Sequence, residues 1–218
     1  MAGKRSHPDW INCREGLAIC NHYRNRPDLI PSWREYIGWS LRLPEEPFAA
    51  DVFPKRKGLI VRREAGAIVT DVRAWGITTK IKGASGKMLD KAVTNVRNLE
   101  SPFWRSTLAK PEQRCLVPFS SFAEPTLEPD AATGKKGEHW FTLPAFPVGA
   151  FAGIWRGGEF AFLTCEPNTL VAPLHPKAMP VVLDPEHYEA WLGGVPAAEL
   201  AQPFPSQMMA VETVWPTA

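Results

Sequence analysis

The chain has 218 residues, of which 44% are hydrophobic and 22% charged, ordinary values for one large globular domain or two small ones. No apolar run approaches the roughly 18 residues of a transmembrane helix. Residues 1–19 lack the apolar stretch of a secretory signal, so a cytoplasmic, nucleoid-associated protein with no membrane partner is expected. The net charge of +2 hides an asymmetry. Residues 1–110 hold 20 basic and 11 acidic side chains, a balance of +9, while residues 111–218 hold 5 and 12, a balance of −7. Such a split suits a polyanion partner on one face, unless the halves interleave in space and the field cancels.

Residues 1–19 show no clear periodicity and read as a flexible leader before a domain spanning 20–218. Asp28 to Leu43 has helical spacing, with Trp33, Ile37 and Leu41 on one face, Pro31 and Ser32 near its start and Pro44 at its stop. Leu59 to Val61 and Ala67 to Trp75 read as two strands of a hairpin that turns at Ala65-Gly66. Lys80 to Lys91, rich in lysine and broken by two glycines, reads as a loop. Ser101 and Pro102 mark the N-cap and first position of a short helix to Ala109. Cys115 to Val117, Phe119 to Phe122, His139 to Leu143, Val148 to Trp155 and Glu159 to Cys165 repeat a strand pattern, with a surface loop over 129–137. A last helix, Pro185 to Leu192, begins at Asp184 and ends at Gly193-Gly194. Residues 199–218 have no regular pattern. Many short strands with few helices predict an α+β fold: one domain with a curled, mostly antiparallel sheet, a barrel-like core and a few flanking helices.

Of the four cysteines, Cys13, Cys20, Cys115 and Cys165, none forms a C-x-x-C pair. A zinc site and a disulfide framework are therefore not expected, and no metal or cofactor is implied. Cys115 and Cys165 sit in apolar runs and read as core. Cys20 stands apart, in Ile-Cys-Asn-His-Tyr-Arg at 19–24. Three later segments hold an amide, a carboxylate and an imidazole beside strand-like sequence: Asn95, Glu124 and His175. A thiol with these partners is the inventory of a covalent-chemistry site.

Cys20-Asn21-His22-Tyr23-Arg24, Arg73-Ala74-Trp75-Gly76, Asn95-Val96-Arg97, Arg114 to Glu124, Gly153-Ile154-Trp155 and His175 to Pro180 stand in this order along the chain. In that order they resemble the SRAP (SOS response-associated peptidase) family over about residues 20–192. The resemblance implies a DNA-repair protein that recognises abasic sites in single-stranded DNA. It would crosslink to them through an N-terminal cysteine and cleave itself to expose that residue. An amine condenses with the aldehyde of a ring-opened abasic sugar, and the thiol of the same residue closes a thiazolidine. Only an N-terminal cysteine offers both nucleophiles in 1,2 arrangement, a proximity gain. The resemblance further implies catalytic roles for Cys20, Asn95, Glu124 and His175. Asn95 would orient the sugar, Glu124 would handle protons at the amine, and His175 would shuttle them to the sugar oxygen. Arg24 and Arg97 would hold phosphates and Trp75 would stack on a base. A monomer is expected.

Each residue also has a plainer role open to it. Asn95 could be a turn residue, Glu124 a solvated strand end, His175 a satisfied loop histidine, Trp75 core and Arg97 one half of a structural ion pair. The chain also departs from the family pattern. Nineteen residues precede Cys20, which leaves open a misplaced start, a leader removed by the protein itself, or a member that binds without crosslinking. Asp51-Val52-Phe53-Pro54 stands where many members have Asn-Val-Ala-Pro, and Lys177 stands where arginine is common. The alternatives to the crosslinking function are a cysteine peptidase acting on other proteins through Cys20 and His175, and a non-catalytic single-strand binder.

Overall fold

A computed structural model describes residues 20–82 and 86–216; the expected leader and Cys13 lie outside the described residues. The strands are β1 (His22–Arg24), β2 (Asp51–Val52), β3 (Lys57–Glu64), β4 (Ala67–Trp75), β5 (Ile77–Lys82), β6 (Met88–Val93), β7 (Asn95–Val96), β8 (Arg114–Phe119), β9 (Ser121–Pro125), β10 (Glu138–Thr142), β11 (Gly149–Arg156), β12 (Glu159–Cys165), β13 (Met179–Pro180), β14 (Val182–Leu183) and β15 (Ala210–Val214). The α-helices are α1 (Ile30–Ile37), α2 (Pro102–Leu108), α3 (Tyr188–Gly193) and α4 (Ala197–Leu200).

Alternation along the central strands builds the fold. Leu59 and Val61 of β3, Leu116 of β8, Ala152 and Ile154 of β11, and Leu163 of β12 feed one apolar core. Their neighbours Ile60, Val117, Phe151 and Phe162 feed a second. A strand whose successive side chains point to opposite faces can serve two cores only if both faces are covered. Trp33 of α1, Trp104 of α2 and Trp191 of α3 close the first face. Tyr23 of β1, Val52 of β2, Phe122 of β9 and Phe141 of β10 close the second. The result is three layers: helices, an eight-stranded sheet, and a five-stranded sheet ordered β15-β10-β9-β1-β2.

The expected α+β single domain with curled, mostly antiparallel sheets is therefore what forms, but it is not a closed barrel. The path β12-β4-β3-β8-β11 returns to β12. Two of its joins are short, however: β4–β12 pairs only Ala74 with Glu159 and Trp75 with Phe160, and β3–β8 pairs only two positions.

Several local expectations need correction. The first helix stops at Gly38, whose φ of +69° caps it, well before Pro44. The lysine-rich segment is not a loop. β5 and β6 form a two-stranded hairpin in which Ile77 pairs with Val93 and Ile81 with Leu89. The C-terminal region carries α4 and an edge strand, β15, paired with β10. The cap at Ser101 forms as read, its hydroxyl accepting from Phe103 N–H at 3.3 Å. The β3–β4 hairpin turns at Ala65 and Gly66, both with positive φ.

Candidate functional site

Glu124 is held by strands on both sides of β9. Ala123 pairs with His22 of β1, and Glu124 itself pairs with His139 of β10. Its side chain is fully buried rather than being a solvated strand end. Both carboxyl oxygens accept from the backbone nitrogen of Cys20, at 3.0 and 3.1 Å. Burial pushes the Glu124 carboxyl well above the ordinary carboxylate range, and the hydrogen bond from Cys20 opposes this only in part.

His175 ends a tight coil from Asn168. The Asn168 side-chain oxygen accepts from the N–H groups of Leu170 and Val171, and His175 N–H donates to Val171 carbonyl at 2.8 Å. The ring is fully buried, with Nδ1 2.9 Å from the Ala178 carbonyl. A carbonyl can only accept, so Nδ1 carries the proton and Nε2 is left with a lone pair. That nitrogen lies 3.7 Å from Glu124 Oε2. Burial lowers the His175 pKa, and the nearby charges of Lys177 and Arg97 lower it further. The two shifts agree in direction: burial favours an uncharged carboxyl on Glu124 and an uncharged imidazole on His175. A carboxylic acid facing a neutral imidazole can give or accept a proton without creating a bare buried charge.

Cys20 is also fully buried, and its φ of +23° is rare for a residue with a side chain. Its Sγ lies 3.9 Å from the His22 carbonyl, a weak thiol contact. Burial, then the nearby Glu124, push the thiol well above its usual pKa, so it rests as S–H.

Cys20, Glu124 and His175 thus come together, and all three are fully buried. Asn95 lies on β7, paired in parallel with β12 at Phe162, and its side-chain nitrogen donates to Thr94 Oγ1 at 3.0 Å. The same strand β12 carries β13, which follows the His175 coil. Arg97 is exposed and donates to the Lys177 carbonyl at 3.0 Å, beside His175. Arg24 is half-exposed, bonded through Nε to Asp51 at 2.9 Å, with its guanidinium 3.7 Å over the Trp140 ring. Trp75 is not a stacking surface. It is fully buried, stacks on Phe162, meets Tyr23 edge-on and donates its indole N–H to the Thr94 carbonyl.

Sequence reasoning missed the group around His22. Its ring nitrogens lie 3.0 Å from Asp51 and 3.0 Å from Glu138. Arg24 and His22 share Asp51, and their contacts hold its carboxyl below the usual range even though burial opposes them. The only signal was the aspartate in place of asparagine at position 51.

A profile of the SOS response associated peptidase (SRAP) family matches residues 32–217, a stretch that includes Asn95, Glu124 and His175 and begins after Cys20. The comparison with curated proteins finds no match. Among solved structures, a Bordetella bronchiseptica protein is 22% identical, with a TM-score of 0.66 over 89% of this chain and 99% of its own. A Bacteroides thetaiotaomicron protein is 19% identical, with a TM-score of 0.67 over 89% and 92%. A phage-related protein from Bordetella bronchiseptica is 20% identical, with a TM-score of 0.63 over 90% and 94%. At these identities the likeness speaks for the fold.

Proposed function

Because the chain belongs to the SOS response-associated peptidase family, we propose that it captures abasic sites in single-stranded DNA as a thiazolidine on Cys20, after cleaving itself to free that residue's amine. One observation carries the reading: the Cys20 nitrogen is gripped by both oxygens of a buried Glu124, with a neutral His175 behind it. A structural role alone would not call for a buried acid aimed at one backbone nitrogen.

The chemistry follows from these atoms. The thiol adds to the carbonyl before Cys20 through a five-membered ring, and its proton passes to the Glu124–His175 pair. The acyl group moves from nitrogen to sulfur while protonated Glu124 hands a proton to the departing nitrogen. Water then hydrolyses the thioester, leaving a free amine and thiol on Cys20. That amine condenses with the sugar aldehyde, losing water to give an imine. Addition of the thiol across the imine carbon, with its proton going to nitrogen, closes the ring. His175 serves as the proton relay. Asn95 orients the sugar, and Arg97 and Arg24 contact phosphates.

A peptidase acting on other proteins draws less support, since a buried thiol held as S–H is a poor nucleophile for repeated turnover. The test is a denaturing gel of the protein with a uracil-containing oligonucleotide treated with uracil glycosylase. A covalent band is expected, absent in Cys20→Ala. Binding without any band would leave a non-catalytic binder, and cleavage of an added peptide at catalytic enzyme levels would favour the peptidase.

A further inference from the structure

The turn from Phe53 to Arg56 takes no part in the chemistry above, yet it is built with unusual care. Arg56 N–H donates to the Phe53 carbonyl at 2.9 Å, so Pro54 and Lys55 are the central residues. Lys55 has a φ of +69°. In a turn with proline second, this third position ordinarily takes glycine or asparagine. A lysine there is strained, and strain held in an exposed turn points to use rather than packing. The backbone is pinned by the end of β4: Lys55 N–H donates to the Trp75 carbonyl and Trp75 N–H to that of Arg56.

Phe53 is 44% exposed. Its ring lies stacked 3.9 Å from that of His22, at an interplanar angle of 23°. His22 cannot swing away, because Asp51 and Glu138 hold its two nitrogens and Trp140 meets its edge. One side of Phe53 therefore rests on a fixed ring, and much of the rest meets solvent. Lys55 and Arg56 are exposed, and among the described residues neither has an ion-pair partner.

The register puts this turn beside the reactive residue. β1 and β2 pair antiparallel, Arg24 with Asp51 and Tyr23 with Val52. One further step sets His22 against Phe53, as their stacked rings require. Cys20 lies two residues before His22, so the Phe53–His22 stack sets the turn within a few residues of it. Among the described residues, β2 is the outermost strand of its sheet.

We propose that the turn 53–56 is a nucleotide-binding element: Phe53 stacks on the base next to the missing one, and Lys55 and Arg56 hold the adjoining phosphates of a single strand. The proposal rests on reading Cys20 as the abasic-site nucleophile. Base-on-aromatic stacking tolerates any sequence, as damage recognition needs, and the paired cations match the phosphate charge.

The probe is a single-stranded oligonucleotide carrying a tetrahydrofuran abasic analogue, which cannot open to an aldehyde, with 2-aminopurine on one or the other side of it. Wild-type protein is expected to quench the 2-aminopurine on binding. Phe53→Ala should abolish the quench and weaken binding about tenfold. Phe53→Tyr should keep both, and matched urea midpoints of the two variants would separate stacking from misfolding. Lys55→Ala should keep the quench and lower the slope of log K against log salt by about 0.7. A bound Phe53→Ala complex that quenches like wild type overturns the proposal. Crosslinking of natural abasic DNA is scored separately. Crosslinking with no Phe53-dependent quench removes the turn and leaves Cys20 standing. A Phe53-dependent quench without crosslinking removes the reading of Cys20 and leaves the turn. A wild-type protein that does not bind the probe overturns both.

Discussion

Replacing Glu124 by glutamine tests the state of the buried pair without removing its shape. Glutamine keeps an oxygen to accept from Cys20 N–H but cannot ionise. In the folded protein Glu124 is raised above its ordinary value of 4.5 and His175 lies below its ordinary 6.5. The lowered His175 contributes stability that is fully present above pH 6.5 and is lost as acid protonates the buried ring. The raised Glu124 contributes stability that is fully present below pH 4.5 and is lost as pH rises through the carboxyl's folded-state value. Above 6.5 only the Glu124 contribution still changes with pH. Stability then falls by about 1.4 kcal/mol per pH unit until the buried carboxyl ionises. In Glu124→Gln only the His175 contribution remains, and that is fully present above pH 6.5. Urea unfolding of both proteins between pH 6.5 and 8 is expected to show a loss of about 1.4 kcal/mol per unit in wild type that the variant lacks. Parallel profiles would mean that Glu124 is ionised in the fold, and the proton assignment would be wrong. The same variant should slow crosslinking by about 10² or more if the acid moves protons at nitrogen.

Trp75→Ala should destabilise the protein by about 3–5 kcal/mol, because it empties a fully buried site, while Trp75→Phe should bind single strands like wild type; loss of binding in the stable phenylalanine variant would restore Trp75 as a DNA contact. Cys20 and Cys115 are buried with raised pKa values, so iodoacetamide at pH 7 should leave both unmodified in native protein and label both in urea, read by peptide mass. Rapid native labelling of Cys20 would show a thiolate open to solvent. Gly58→Ala drives a β-carbon into Tyr23 Oη, on a fully buried ring, and should cost about 1–3 kcal/mol of stability, read from the urea midpoint; an unchanged midpoint would mean that β1 shifts freely.

The sequence was most readable where chemistry is local. The turn at Ala65-Gly66, the Ser101 cap and the Asp184 start of the last helix each depend on a few adjacent residues. The β5–β6 hairpin was misread as a loop: Lys80 and Lys82 do alternate with Thr79 and Ile81, but the density of lysine and the two glycines between 80 and 91 outweighed that alternation. β15 is short and mostly exposed, so it carries little alternation to read. At the site, the order of motifs pointed to Cys20, Glu124 and His175, but their approach depends on pairing β1 with β9, which brings Cys20 to Glu124 across 104 residues. Nothing in Trp75 itself separates a platform from a core side chain; only its burial between Tyr23 and Phe162 decides it. Asp51 read as a missing asparagine, and its partners His22 and Arg24 are 29 and 27 positions away.

The grip of Glu124 on the Cys20 nitrogen also has a meaning in time. The carboxyl reaches that nitrogen only when β9 lies between β1 and β10, so any reaction it promotes there must wait for the sheet. An unfinished or misfolded chain has both groups but keeps them apart, with the carboxyl in water as an ordinary ionised acid. Under the proposed self-cleavage, a polypeptide altered at this nitrogen would be one that has already folded, and the chemical change a lasting record of correct assembly.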